Sequence, residues 1–294
     1  MDIGVIQVQQ DSRGDPAIVA KRAEELGFES YWAPDHTIIP VDFSEVYPGG
    51  APDAEPPEYL YQLSDPLISL ARVSGATSTI KLGTGILLVP ERNPLLTAKQ
   101  IATLDEVSGG RFLFGIGAGW NREECEILGG DFDHRWTQVR ESIEIMKDLW
   151  TKDQSGHEGR YYNFPPVKCY PKPAQNPHPP IILGGVTAQR VYKRVVDYGD
   201  GWMPLVETAD QLAAGVEELK RVCDDKGRDF GTIGITAFGL DGMWRTADDL
   251  MALEKAGADR LVVWLQARET EGLVTELEAL AAELIGSTAL AANA

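Results

Sequence analysis

Short apolar segments alternate with longer amphipathic segments along almost the whole chain, and this alternation limits the possible folds more than any other feature of the sequence. The short segments have the length of buried strands, and the longer ones carry apolar residues at helical spacing. Strands that alternate with helices form a parallel sheet that the helices cover. Eight strands are predicted, at residues 3–8, 30–33, 80–88, 111–117, 181–184, 201–204, 232–239 and 260–265.

The helices between these strands carry recognisable start and stop signals. Gly27 suits the position after the first helix, and Pro94 suits the first turn of another. Thr246 and Asp249 have the spacing of a capping box. Helices are predicted at residues 15–26, 66–77, 94–108, 122–128, 134–150, 187–197, 209–226, 246–256 and 271–284.

Eight strands in strict alternation with helices is the number that closes a (β/α)8 TIM barrel. An open, doubly wound sheet is the alternative, but it usually has fewer strands and a glycine-rich fingerprint in its first strand-to-helix turn, which this sequence lacks. We therefore expect a single barrel domain over residues 1–286, with insertion loops. The tail, residues 287–294, is rich in small residues and is expected to fray.

Two proline- and aromatic-rich stretches, near residues 37–63 and 151–180, interrupt the alternation and predict long loops without regular structure. Such loops in a compact domain are usually lids or binding loops. The first follows a strand, so it is expected to emerge on the face of the barrel that carries catalysis. The second precedes a strand and starts from the opposite side.

The composition narrows the range of partners. The formal net charge is −18 and the pI is near 4.6, so phosphate backbones and anionic membranes would repel the chain. The three cysteines and four histidines show no disulfide framework and no metal-ligand spacing. The sequence has no signal peptide and no apolar span, so we expect a cytoplasmic protein that binds no nucleic acid, no membrane and no metal.

Catalytic residues of a barrel lie where the strands end. His36 directly follows the second strand, where it could give or take a proton near neutral pH, and Asp35 could orient it. Gln7, at the end of the first strand, and Trp202, in the sixth, are further candidates. A structural or surface histidine is the alternative interpretation of His36.

Glycines mark three other strand ends, where they permit close approach of a backbone or a flat ring. A Gly-Gly turn that opens a helix could also hold a phosphate through free N–H groups, although an ordinary N-cap and tight turn is the commoner use. At Glu123 and Glu124, stabilisation of the helix dipole is favoured over acid–base chemistry. The candidate binding residues at these ends are Gly85, Ile86, Gly117, Gly119, Trp120, Gly184, Gly185, Val186 and Thr187.

Four segments together resemble the luciferase-like monooxygenase superfamily, including its coenzyme F420-dependent members. They are LGFESYW with the following DH in residues 26–36, KLGTGI at residues 81–86, LDEVSGGRF running on to GAGW in residues 104–120, and PKP, QNPHPP, GG and GDGW in residues 171–202. Their order and spacing carry the resemblance across most of the chain.

The resemblance implies a TIM barrel that holds coenzyme F420 or FMN in its mouth and forms a homodimer. It maps a non-prolyl cis peptide to Gly85–Ile86, a phosphate site to Gly184–Gly185, and a role at the reacting centre to His36. Deazaflavin alcohol dehydrogenases of the family also use a carboxylate near the end of the fourth strand. This chain has GWN at residues 119–121 instead, which argues against simple alcohol oxidation.

Three functions are compatible with these observations. The first is a coenzyme F420-dependent oxidoreductase, which transfers a hydride between the deazaflavin and a small organic substrate beneath residues 37–63. The second is an FMN-dependent monooxygenase of the same family. The third is a flavin-binding barrel without turnover. Overall likeness to the deazaflavin subgroup favours the first.

Overall fold

The computed structural model describes residues 1–8, 10–47 and 56–286. Its strands in chain order are β1 (Asp2–Gln7), β2 (Ser30–Ala33), β3 (Lys81–Thr84), β4 (Leu87–Leu88), β5 (Phe112–Gly117), β6 (Ser155–Glu158), β7 (Asn163–Val167), β8 (Ile181–Gly185), β9 (Gly201–Pro204), β10 (Gly234–Phe238) and β11 (Arg260–Leu265). All except β6 and β7 pair in parallel, and the pairing of β3 with β5 closes the ring. The predicted TIM barrel is therefore confirmed.

Helices cover the outside of the barrel, and local signals in the sequence fix their ends. Gly27 ends the first helix in the left-handed conformation, at φ 92°. Thr246 and Asp249 form the predicted capping box. The helices are α1 (Pro16–Leu26), α2 (Pro66–Ala76), α3 (Pro94–Ser108), α4 (Arg122–Ile127), α5 (Arg135–Thr151), α6 (Gln189–Tyr198), α7 (Ala209–Lys226), α8 (Ala247–Lys255) and α9 (Thr270–Leu280).

The third barrel strand is divided in two, which corrects the prediction of one continuous strand at residues 80–88. β3 pairs with β2, whereas β4 pairs only with β5 among the described residues. The peptide bond between Gly85 and Ile86, at the break, is cis, as the family resemblance implied.

Alternate residues of each barrel strand point into the barrel or outward beneath the helices. Trp32 points inward, is fully buried, and donates a hydrogen bond from Nε1 to Ser30 Oγ over 2.8 Å. A Cβ on Gly83 of the neighbouring strand would lie 2.3 Å from the indole ring, so only glycine leaves room for it. Other inward residues are Ile6, Leu113, Ile182, Phe238 and Val262.

Both insertions contain regular structure, contrary to prediction. The described part of the first includes a 3-10 helix at Glu58–Gln62. In the second, β6 and β7 form an antiparallel hairpin, so residues 151–180 are not a structureless loop. The connection between these two strands is held by Glu141, whose carboxylate accepts hydrogen bonds from three successive backbone N–H groups, at residues 160–162.

Two further sequence predictions concern the ends of the chain and membranes. The fraying tail, residues 287–294, lies outside the described residues. Within the described residues, no helix is long and apolar enough to cross a membrane.

Candidate active site

His36 lies three residues beyond β2, at the carboxyl end of the barrel, and its neighbour fixes the path of the chain there. Asp35 is buried and accepts two hydrogen bonds from the guanidinium of Arg92, at 2.7 and 3.1 Å. It also accepts one from the backbone N–H of Leu88 at 3.0 Å. A two-point arginine–carboxylate pair is geometrically strict. Asp35 therefore ties the end of β2 to β4, and its predicted place among the site residues stays a prediction.

The imidazole of His36 is paired with a carboxylate that sequence reasoning did not select. His36 Nδ1 lies 2.6 Å from Oε2 of Glu124, a fully buried residue in the first turn of α4. Oε1 of the same carboxylate accepts hydrogen bonds from the backbone N–H groups of Thr37 and Ile38, at 3.0 and 3.3 Å. Glu124 therefore holds both the imidazole and the chain that follows it. Nothing in the linear sequence marks this pairing, because the two residues are 88 positions apart.

The second ring nitrogen of His36 accepts a hydrogen bond from Trp120, whose Nε1 lies 3.1 Å away. An indole N–H can only donate, so His36 Nε2 carries no proton in this arrangement, and the proton lies on Nδ1, facing Glu124. The rings of Phe43 and Tyr47 pack edge-on against Trp120, with centroid distances of 5.7 and 5.5 Å. The first insertion therefore covers the histidine through the indole.

The aromatic cover continues to the centre of the barrel mouth. The hydroxyl groups of Tyr47 and Tyr59 lie 3.0 Å apart, and Tyr59 packs against Trp264 at a centroid distance of 5.7 Å. Trp264 is two residues beyond the inward-pointing Val262 of β11, so it points the same way and packs against the residues of the barrel interior. These aromatic residues sit above the barrel core, and sequence reasoning selected neither Tyr59 nor Trp264 as site residues.

The side chain of Ile86 brings three of the predicted residues together. A Cβ on Gly117 would lie 1.9 Å from Ile86 Cδ1, and a Cβ on Gly184 would lie 3.0 Å from Ile86 Cγ2. The side chain after the cis bond therefore packs across the ends of β5 and β8, and glycine is needed at 117 to leave room for it. Gly119 serves another purpose, because its φ of 77° turns the chain toward Trp120.

The turn after β8 is exposed to solvent. Gly185 has a φ of 154°, and Val186 is half exposed. Ala188 is the N-cap of α6 and makes no side-chain capping bond, so the possible capping role of Thr187 is not realised. The first N–H groups of α6 therefore lack a side-chain acceptor, and the amino end of a helix favours an anion there.

Three arginines gather beside this turn. Burial, and then the positive charges of Arg190 and Arg135, lower the pKa of Arg194. Burial also lowers the pKa of Arg135, and Arg190 adds to that effect. Among the described residues, none of the three makes an ion pair, and Nη1 of Arg194 is buried without a hydrogen-bond partner. In a chain with net charge −18, this cluster without ion pairs is a local concentration of positive charge.

Comparisons with known proteins identify the family. The family model described as luciferase-like monooxygenase matches residues 7–280. The chain belongs to this family of oxidoreductases. It is 32% identical to an uncharacterised protein of Mycobacterium tuberculosis over 97% of this chain and 99% of that protein.

Two characterised relatives in the luciferase-like family carry different cofactor names. The F420-dependent glucose-6-phosphate dehydrogenase of Amycolatopsis mediterranei is 30% identical over 70% of this chain and 62% of its own length. The FMNH2-dependent dimethylsulfone monooxygenase of Pseudomonas putida is 32% identical over 55% of this chain and 45% of its own length. Family membership therefore indicates a flavin or deazaflavin without choosing between them.

Solved structures support the fold. The coenzyme F420-dependent tetrahydromethanopterin reductase of Methanopyrus kandleri superposes with a TM-score of 0.73 at 19% identity, covering 98% of this chain and 99% of that one. The monooxygenase RslO1 of Streptomyces bottropensis superposes with a TM-score of 0.74 at 18% identity, covering 98% of this chain and all of that one. At these identities the likeness concerns the luciferase-like barrel alone.

Two predicted site residues of this luciferase-like barrel lie on the outward side of their strands. Gln7 is buried, donates from Nε2 to the carbonyl of Gly14 at 2.5 Å and accepts from the hydroxyl of Tyr31 at 2.8 Å. The ring of Trp202 is fully buried beneath the helices, against Gly215 of α7. The alternation of side chains along a strand explains both positions, since Ile6 and Met203, one residue away, point inward. The roles of Gln7 and Trp202 in the site stay predictions. Among the described residues no cluster of His, Cys, Asp and Glu suits a metal ion.

Proposed function

We propose that this protein is a coenzyme F420-dependent oxidoreductase that transfers a hydride between the deazaflavin and a small organic substrate. The observation that carries the proposal is the buried His36–Glu124 pair at the mouth of a luciferase-like barrel, 2.6 Å between Nδ1 and Oε2. A histidine held by a carboxylate on one nitrogen is suited to proton transfer at the other. The dehydrogenase relative, which matches 70% of this chain, supports the choice of cofactor.

The residues present fit such a cofactor. Both F420 and FMN combine a flat ring system with a phosphate, so they need an apolar wall and an anion site. Ile86, seated on Gly117 and Gly184, supplies the wall. The turn of Gly185, Val186 and Thr187, with the uncapped end of α6 and the unpaired arginines, supplies the anion site. Together with Gly85, Gly119 and Trp120, these residues are the proposed binding set.

The protein side of the reaction follows from the hydrogen bonds of His36. When bound, the deazaflavin ring accepts or supplies the hydride. Residues 119–121 lack the carboxylate that argued for alcohol oxidation in the family, but Glu124 of the next helix places a carboxylate on His36. For oxidation of a substrate hydroxyl, Nε2 of His36 takes the hydroxyl proton, and the Glu124 carboxylate stabilises the imidazolium that forms. In the reverse direction the imidazolium returns that proton to the carbonyl oxygen. Trp120 occupies Nε2 in the resting arrangement, so the substrate must replace the indole N–H as the donor.

An FMN-dependent monooxygenase is the second candidate, and the relative from Pseudomonas putida favours it. The same proposed binding set would hold FMN, and His36 would again hold or donate the proton. The absence of a carboxylate at Trp120, in the turn where deazaflavin alcohol dehydrogenases have one, agrees with this alternative. The cover of Phe43, Tyr47 and Tyr59 would serve it by excluding water from the ring.

Titration of the purified protein with F420 and with FMN, in parallel, tests the proposal. Quenching of cofactor fluorescence measures each dissociation constant. Tighter binding of F420, with reduction or oxidation of the bound deazaflavin by candidate alcohols and carbonyl compounds, supports it. Preferential binding of FMN supports the monooxygenase, and binding without turnover supports a non-catalytic flavin-binding barrel. Failure to bind either cofactor overturns all three.

The family resemblance implies a homodimer, and the sequence without a signal peptide or apolar span predicts a cytoplasmic location. A homodimer in the cytoplasm stays a prediction. Light scattering of the purified protein measures the assembly, and fractionation of the source cells measures the location.

A further inference from the structure

Glu91 is a buried carboxyl group that the proposed proton transfer does not use. It ends the short 3-10 helix Val89–Glu91 that follows β4, and 7% of the residue is exposed. Both of its carboxyl oxygens are buried, and among the described residues no N–H or hydroxyl group donates a hydrogen bond to either of them. A side-chain hydrogen bond joins Glu91 to Glu124, which requires that one of the two carboxyl groups carry a proton. A carboxylate in such surroundings is strongly disfavoured, whereas a neutral carboxylic acid is much less so.

The carboxyl group lies beneath the turn that carries Trp120. A Cβ on Gly119 would lie 3.0 Å from Glu91 Oε1, so the acid fills the space that this glycine leaves. The helix α4, which carries Glu124, packs against the same 3-10 helix. Glu91 is therefore in the layer directly behind the His36–Glu124 pair.

The charged and titratable groups around Glu91 come from each neighbouring element. Glu124 and Cys125 face it from α4, Asp35 faces it from the end of β2, and Arg92 is its chain neighbour.

The helix α5 adds one neutral and one charged group near Glu91. The amide of Gln138 donates a hydrogen bond to the carbonyl of Pro90 at 3.3 Å. The guanidinium of Arg135 donates one to the carbonyl of Gly119 at 3.2 Å. Burial, followed by the negative charges of Glu124 and Asp35, raises the pKa of Glu91 to about 9, against the opposing charge of Arg92.

We propose that Glu91 is a positioning residue, which as a neutral acid fills the space behind Glu124 and leaves Glu124 as the single carboxylate that holds His36. The proposal rests on the proposed role of His36 in proton transfer. Ionisation of Glu91 would place a second negative charge beside Glu124 and change how firmly the pair holds its proton. A glutamine at this position would keep the shape of the neutral acid without the ability to ionise.

The test uses NMR of the histidine rings in the full-length protein without cofactor. In the wild type, the His36 signals, identified by their loss in His36→Ala, are expected to shift in a step near pH 9. Glu91→Gln is expected to abolish that step. The matched control is Glu126→Gln, which removes an exposed carboxylate from α4, the helix of Glu124. This variant should retain the step near pH 9. The proposal is overturned if Glu91→Gln retains the step.

Two further measurements keep the test independent of folding and of turnover. The infrared spectrum of the wild type should contain the band of a buried protonated carboxylic acid at neutral pH, lost as the pH rises above about 9. A spectrum without that band overturns the proposal even where Glu91→Gln fails to fold. In the active enzyme, the pH profile of kcat should have a step near the same pH that Glu91→Gln lacks. If no activity is found, the proposed function fails, and the spectra still decide the state of Glu91.

Discussion

The indole N–H of Trp120 donates a hydrogen bond to Nε2 of His36 over 3.1 Å. Because Glu124 occupies Nδ1, this bond leaves no free nitrogen on the imidazole. A substrate that exchanges a proton with His36 must therefore displace the indole. Phe43 and Tyr47, which pack against the indole edge-on, hold it in place.

Substitution of Trp120 separates the hydrogen bond from the aromatic packing. Trp120→Phe removes the N–H donor and keeps a ring against Phe43 and Tyr47. The KM for a hydroxyl substrate should fall by ~2–10-fold, because a competing hydrogen bond of about 0.5–1.5 kcal/mol is lost. Trp120→Ala also removes the packing, so limited proteolysis within residues 37–63 should become faster. Equal rises of KM in both variants would show that the indole N–H does not compete with substrate.

Removal of His36 should abolish proton transfer and leave cofactor binding intact. His36→Ala is expected to lower kcat by ~10²–10⁴-fold, the range for loss of a general acid or base. The dissociation constant of the cofactor, measured by fluorescence, should stay nearly constant. His134→Ala is the matched control, because His134 is exposed on the surface. A His36→Ala variant with wild-type kcat would remove this residue from the mechanism.

The barrel could be predicted from the sequence because its signals are local. The helix at residues 94–108 was bounded correctly by Pro94 and the glycine after Ser108, and both ends of α7 matched as well. The hairpin β6–β7 was missed because Pro165 and Pro166 lie within β7, and proline argues against a strand except at an edge or an isolated pair.

The candidate site was only partly predictable, because it depends on which side chains meet across the barrel. Glu124 stands at a helix start, where a dipole-stabilising role is the usual explanation, and only the fold brings it to His36. Gln7 and Trp202 were predicted from their positions near strand ends, but the inward or outward parity of a strand decides which side chains reach the mouth. Only the structure shows that Ile6 and Met203 point into the barrel, and hence that their neighbours Gln7 and Trp202 point outward.

The unpaired arginines should contribute to binding the cofactor phosphate. Replacing Arg190 and Arg194 together by glutamine is expected to raise the cofactor dissociation constant by ~10–100-fold, since charge-assisted hydrogen bonds contribute about 1.5–3 kcal/mol. Added salt should weaken the wild type more than this variant. Arg140→Gln on α5 is the control, because Arg140 is exposed and already paired with Glu144. An unchanged affinity in the double variant would place the phosphate elsewhere.

Acid stability should depend on Glu24, which joins α1 to the start of β3. Its Oε1 accepts hydrogen bonds from the backbone N–H groups of Ser78, Thr79 and Ile80 at 2.6 to 3.1 Å. Although burial opposes them, these bonds lower the pKa of Glu24 from 4.5 to about 2. A carboxyl with a lowered pKa in the folded state stabilises the protein above its unfolded pKa, and that contribution is lost as the pH falls toward 2.

Glu24→Gln keeps an oxygen that can accept these bonds but removes its charge, so it should lower the free energy of unfolding at neutral pH by about 1 kcal/mol, the difference between a charged and a neutral acceptor. Urea denaturation at a series of pH values measures the difference from the wild type, which should shrink below pH 4.5. Glu25→Gln, at an exposed neighbour, should change stability by less than about 0.5 kcal/mol. A difference that is constant with pH would contradict the assignment.

The contact between Ile86 and Gly117 can be tested by a double-mutant cycle. Gly117→Ala would place a Cβ 1.9 Å from Ile86 Cδ1, so the isoleucine must leave its position over β5 and β8. Overpacking of this kind costs about 1–3 kcal/mol in unfolding free energy, and the displaced side chain should also weaken cofactor binding. Ile86→Ala in the same chain removes the obstructing atom, so the double variant should be less destabilised than the sum of the two single variants, by more than about 0.5 kcal/mol. Strict additivity in urea denaturation would mean that the two residues do not share this space.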